Sequence, residues 1–212
     1  MTAESTRVEE GPDRLVALSD GIYAIAMTLL VLDVKVADGL DPSALRDALV
    51  RLWPQVAAYV SSFVLLAVFW RDHRRLFLRV RRVDSTLGGL VVASLCAVAL
   101  LPFPTALLAE YRLQAPAVAL YAGVITLIVA LHLGAAGTVW RRAGLRRGHI
   151  GDAVGFRVAQ DLGATVVFFG LSVPVAFLSP SAAICLWLLL IPVKVVTGRR
   201  VRTALHRERA RD

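Results

Sequence analysis

Six apolar stretches, each near the length that crosses a bilayer and each followed by a short polar connection, leave this chain few ways to fold. They cover 14–36, 52–74, 85–109, 116–140, 153–178 and 181–197. A helix of 23 residues is about 34 Å long, enough to span hydrocarbon with modest tilt. Composition agrees: of 212 residues, 57% are hydrophobic and only 19% charged. Soluble domains hold about 45–50% apolar and about 25% charged residues. The reading is an all-α membrane protein, one six-helix domain over 1–212 with a basic tail at 198–212. The connection at 37–51 is too short to build a separate core.

Charge sets the orientation. The net charge of +8 would suggest nucleic acid in a soluble chain, but here the cations lie between apolar runs. Arg71, Arg74, Arg75, Arg79, Arg81 and Arg82 follow the second run. Arg141, Arg142, Arg146 and Arg147 follow the fourth, and the tail is again arginine-rich. The opposite connections carry only Lys35, Arg46, Arg51 and Arg112. Every alternate connection is basic, so both termini are expected in the cytoplasm of a multi-pass cell-membrane protein. The first thirteen residues hold four acids and no clear cleavage site precedes Arg14, so the first run is expected to stay in place.

Prolines mark the ends and bends. Pro116 opens the fourth run, Ser179-Pro180-Ser181 makes a hairpin, Pro102 and Pro104 bend the third run, and Pro192 kinks the sixth. Gly134 and Gly137 suit a close helix contact. Cys96 and Cys185 lack any metal-ligand spacing and read as small buried hydrophobes.

Ionisable groups within membrane helices are costly and are functional candidates. Here they are Arg14, Asp20, Asp33, His132, Arg157, Asp161 and Lys194. Arg157 and Asp161, four apart, share a helix face and can neutralise each other. No Gly-x-Ser-x-Gly, His-Glu-x-x-His or phosphate-binding loop is present, and no Thr-Val-Gly-Tyr-Gly potassium filter. An enzyme, a cofactor, a small-molecule substrate and a nucleic-acid partner are therefore not expected. The bilayer is the expected surrounding. A second function class stays open: a proton- or cation-coupled secondary transporter in which His132 and Asp161 carry exchangeable protons.

The first run is the most informative. Ile25, Leu29 and Leu32 recur at i, i+4 and i+7, with Thr28 beside them; alone, such a stripe is a packing face. Arg14, Ser19 and Asp20 at its basic end need partners. The segment resembles the Arg-x-x-x-Phe-Ser-Asp-x-x-x-Ala-Ile-x-x-Thr-Leu-Leu signature of the transmembrane-protein-175 family of potassium channels. Arg14, Ser19, Asp20, Ala24, Ile25, Thr28, Leu29 and Leu30 match in register, while Leu18 replaces the family Phe. Phe69-Trp70-Arg71-Asp72-His73-Arg74 is similar to its Trp-x-x-His-His segment, with Arg74 in place of the second His.

The resemblance implies a homotetramer with the first helix of each subunit around a central pore. Ile25, Leu29 and Leu32 would then be constricting and selecting layers, with Thr28 between them and permeant potassium ions passing through. Arg14, Ser19, Asp20, Trp70 and His73 would form a polar network bracing that helix. At the outer mouth Asp33, and with it Asp38 and Asp41, would attract cations; a solvated loop suits Asp38 and Asp41 as well.

Overall fold

The computed structural model describes residues 12–147, 152–187 and 189. It is helical throughout, and the β-structure among the described residues is one antiparallel bridge between Val80 and Arg146. The elements are α1 (Pro12–Leu29, extended by a 3-10 turn Leu30–Asp33), α2 (Pro42–Arg51) and α3 (Trp53–Phe77). They continue with α4 (Ser85–Leu100), α5 (Pro102–Glu110), α6 (Ala115–Arg141), α7 (Asp152–Leu178) and α8 (180–187).

Five segments are long and apolar enough to cross a membrane: Pro12–Asp33, Trp53–Phe77, Ser85–Glu110, Ala115–Arg141 and Val158–Leu178. They correspond to the first five expected runs. Of the sixth, α8 is described, whereas most of 188–197, Pro192 and Lys194 included, and the tail at 198–212 lie outside the described residues.

Local chemistry sets the boundaries. Pro102 opens α5 and splits the third run at Leu101, the bend its ring requires. Pro174 lies inside α7, an interruption the sequence reading passed over. The connection read as a plain loop at 37–51 contains α2. Asp41 caps it, its Oδ1 accepting from the Ala44 N–H at 2.7 Å and the Ser43 hydroxyl at 2.8 Å. Gly39 turns the chain into that cap at φ 72°, a left-handed conformation suited to glycine. Asp84 caps α4 through the Leu87 N–H at 2.8 Å. Ser and Thr hydroxyls inside the bundle donate to their own helix four residues back, as Thr126 does to Ala122 (2.7 Å) and Ser172 to Phe168 (2.7 Å).

In the packing, α6 is central. It lies against α7 and α4; α1 packs on α4 and α3, and α5 joins α3 to α6. The core of buried Tyr23, Leu30, Leu66, Leu95, Ile125 and Ile128 runs through these helices. Gly134 lets α6 approach Leu90 of α4, as expected, while nothing crowds Gly137. At Gly155 a Cβ would sit 2.4 Å from the Trp140 indole, so α7 approaches α6 there through the absent side chain. Between α3 and the α6–α7 pair lies an open groove of about 1730 Å³, with Trp187 at its wall.

The two arginine-rich connections are joined. The Arg81 N–H donates to Leu145 O at 2.7 Å and the Arg147 N–H to Arg79 O at 2.7 Å, around buried Val80 and Leu145. The Arg142 guanidinium is bonded to Asp84 and, at 3.3 Å, to Thr86. Cys96 and Cys185 are exposed, which corrects the expectation that they are buried; an apolar side chain facing lipid needs no protein cover.

Candidate functional site

The sequence of α1 gives the helix two different sides. Ser19, Tyr23, Ala26 and Leu30 recur at i, i+4, i+7 and i+11 and are all buried against the neighbouring helices. The other side is bare along its whole length: Arg14, Leu18, Gly21, Ile25, Thr28, Leu29 and Leu32 are exposed. Ile25, Leu29 and Leu32 are 59%, 41% and 60% exposed in the subunit. The sequence-predicted aliphatic stripe is thus one continuous uncovered strip. Thr28 donates its hydroxyl proton to Ile25 O at 2.8 Å, which leaves the oxygen's lone pairs for the exposed side.

Behind the strip, polar groups tie α1 to the bundle. Ser19 donates to Leu15 O at 2.7 Å and meets His73 Nε2 of α3 at 2.9 Å. Both side chains are buried, so the pair is shielded from water. Asp20 lies at the margin, half-exposed, where its Oδ1 accepts the Trp70 indole N–H at 2.7 Å. Its Oδ2 accepts Arg74 at 3.1 Å. Of the five residues expected to brace α1, Ser19, Asp20, Trp70 and His73 therefore meet, and Arg14 sits on the exposed side. Arg74, the departure from the family signature, supplies the cation at Asp20.

The sequence reading missed one contact. Tyr23, one turn after Ser19 on the same side, places its hydroxyl 3.2 Å from His132 Nε2 of α6. The His132 ring also lies 5.7 Å from that of His73 and 6.2 Å from Phe69, centre to centre. The spacing Ser19-x-x-x-Tyr23 was the available signal, since it puts two hydrogen-bonding side chains on the buried stripe.

Other candidates fall elsewhere. Asp33 is half-buried and lines a small crevice with Gln55 and Tyr59, not the strip of Leu32. Asp41 is taken up by the α2 cap, which holds its carboxyl below the usual carboxylate range through the Ala44 N–H and the Ser43 hydroxyl. Asp161 and His132 both line the groove. The side chain of Arg157, its expected partner, lies outside the described residues. Among the described residues no group of three or more His, Cys, Asp or Glu side chains could hold a metal ion.

Comparison with known proteins falls on the same elements. The family described as "Endosomal/lysosomal potassium channel TMEM175" matches residues 14–102, from Arg14 to the Pro102 break. A protein of Streptomyces collinus named potassium channel is 42% identical over 150 residues, covering 70% of this chain and 68% of the relative. One of Chamaesiphon minutus with the same name is 41% identical over 123 residues, covering 54% of this chain and 59% of the relative. The crystal structure of a lysosomal potassium-selective channel TMEM175 homolog from Chamaesiphon minutus superposes with a TM-score of 0.71 at 30% identity, over 90% of this chain and 97% of that one. On the shared signature, the shared helices and the extent of the match, the chain belongs to the TMEM175 family.

Proposed function

We propose that this protein is a potassium-preferring cation channel of the cell membrane, working as a homotetramer of six-span subunits with both termini cytoplasmic. The family is one of channels, and the relatives named potassium channel support the ion. The observation that carries the reading is the bare strip of α1. It is aliphatic and continuous, and the buried Ser19–His73 pair lies directly behind it. Four such helices around an axis place Ile25, Leu29 and Leu32 in stacked rings with Thr28 oxygens between them.

Such a pore needs no carbonyl loop. Rings of branched side chains offer no oxygen to a cation, so water stripped at Ile25 is not replaced. Potassium sheds water more easily than sodium, and a narrow apolar ring therefore favours it, more weakly than a filter that substitutes the hydration shell. The same rings close by expelling water, which makes filter and gate one element. Ser19, Asp20, Trp70 and His73, with Arg74, hold α1 at the cytoplasmic end, and Arg14 faces the inner vestibule. Asp33 adds negative charge near the outer mouth. Conduction is passive and needs no cofactor beyond the permeant ions.

The test is potassium flux through purified protein in liposomes, with stoichiometry counted in particle images. Flux down a potassium gradient without a second ion, from four-fold particles with α1 at the axis, is the expected result. Dependence on a proton gradient would favour instead a coupled transporter using His132 and Asp161. Particles with α1 on the lipid-facing rim would overturn the pore assignment.

A further inference from the structure

The groove between α3 and the α6–α7 pair carries chemistry that a pore along α1 does not use. From Trp53 to Arg71, both of which line it, α3 rises about 27 Å. That is close to the roughly 30 Å of hydrocarbon in a bilayer, so the groove runs across the apolar layer. Its walls along that length are apolar, with Val64 and Val68 from α3, Leu133 from α6, and Leu162 and Phe169 from α7.

The two ends differ. The Val80–Arg146 bridge joins the ends of α3 and α6, so Trp140 lies at the same end as Arg71, Arg75 and Arg79, and Trp53 at the opposite one. Tryptophans collect where hydrocarbon meets headgroups. Trp53 is 72% exposed, and one such ring at each mouth marks the groove as turned toward lipid.

Arg71 and Arg75, four apart on α3, share a face, and Arg79 follows one turn later. All three line the groove. Asp72 lies 3.8 Å from Arg71 and 3.6 Å from Arg75, which holds both guanidinium groups at the mouth while leaving them half-exposed. Asp161 of α7 lines the groove as well, so three cations face two acids and the mouth keeps a positive balance. A guanidinium presents five donors in a planar fork that fits phosphate oxygens. An apolar helix laid in the groove would give those donors no acceptor. A phospholipid supplies the acceptor at the mouth and hydrocarbon for the walls below it.

We propose that this groove binds an anionic phospholipid, its phosphate at Arg75 and Arg79 and an acyl chain lying along α3 toward Trp53. The site stands apart from the bare strip of α1, so its test does not depend on ion conduction. The full chain is placed in phosphatidylcholine vesicles containing a minor share of brominated-chain lipid, either phosphatidylglycerol or phosphatidylcholine, and quenching of tryptophan fluorescence is measured. Bromine quenches on close approach, and Trp53, Trp140 and Trp187 all line the groove. Brominated phosphatidylglycerol should compete into the groove about tenfold better than brominated phosphatidylcholine, since an arginine beside a charged lipid is worth about fivefold. Arg75→Gln combined with Arg79→Gln should remove the preference. Arg81→Gln combined with Arg141→Gln, two exposed positions off the groove, should keep it. Equal quenching of wild type by the two lipids, as when residues 188–197 or a second copy fill the groove, overturns the proposal. An equal loss from both pairs overturns it too, because the lipid would then follow net charge alone. If the first pair does not fold, Arg79→Gln alone decides: it should lower the preference about fivefold, and an unchanged preference overturns the site.

Discussion

Two neighbouring substitutions on α1 should rank opposite to the order that formal charge suggests. Ser19→Ala removes a hydroxyl that is wholly buried and meets His73 Nε2 at 2.9 Å. His73 is 2% exposed, so water cannot replace the missing partner. An orphaned buried polar atom costs about 1–3 kcal/mol. Asp20→Asn, in contrast, keeps an oxygen to accept from Trp70 and loses only the ion pair with Arg74. The two side chains of that pair are 38% and 46% exposed, and exposed pairs contribute about 0.2–1 kcal/mol. For a chain this long, 1 kcal/mol is worth roughly 2–4 °C in unfolding temperature. Ser19→Ala should therefore lower the midpoint by about 2–12 °C and Asp20→Asn by about 0.4–4 °C. The assay is thermal unfolding of the detergent-solubilised protein, followed by size-exclusion of the heated sample. Asp20→Asn should also reduce assembled tetramer more than it changes the potassium-to-sodium permeability ratio. A larger loss for Asp20→Asn than for Ser19→Ala would refute the reasoning from burial.

Ile25→Asn should raise conductance and erode the preference for potassium, measured as permeability ratios in bilayers; an unchanged ratio would place selection elsewhere on α1. Gly155→Ala should destabilise the α6–α7 pair by about 1–3 kcal/mol, the usual cost of overpacking, because its Cβ meets the Trp140 indole at 2.4 Å; thermal unfolding reads this directly. Acid should weaken the arginine-rich end through Asp84. The Leu87 N–H above all, and then Arg142, hold its folded-state carboxyl below the ordinary value. A lowered folded value contributes stability that is complete above the ordinary carboxylate range near about 4 and fades as pH falls through the folded value. Asp84→Asn should thus show a smaller loss of unfolding temperature between about pH 4 and 2 than wild type, and an equal loss would exclude the effect.

Much of this architecture is written in apolar length, because a bilayer imposes it on any helix that crosses it. The Pro102 bend was legible, since a missing N–H and a fixed φ act locally. Helix α2 was not: ten residues with a polar overall character gave no membrane signal, and only the Asp41-Pro42 start announced it. The bare strip of α1 could be seen as a periodicity but not as uncovered, because every membrane helix carries apolar stripes and only packing says which one is left over. Ser19 and Asp20 looked alike in sequence as polar intrusions. Three-dimensional placement separates them, one sealed against His73 and the other at the margin with Trp70 and Arg74. The Tyr23–His132 contact joins residues 109 positions apart, a pairing that no local rule specifies.

The bridge between Val80 and Arg146 makes the two basic connections a single clasp, with backbone bonds running both ways across it. Neither strand of the clasp can change length alone, because one inserted residue would shift every facing pair on that side. Reporter tags and epitopes are therefore poorly tolerated at the fastening itself. Pulling on one connection would be felt at once by the helices that hang from the other.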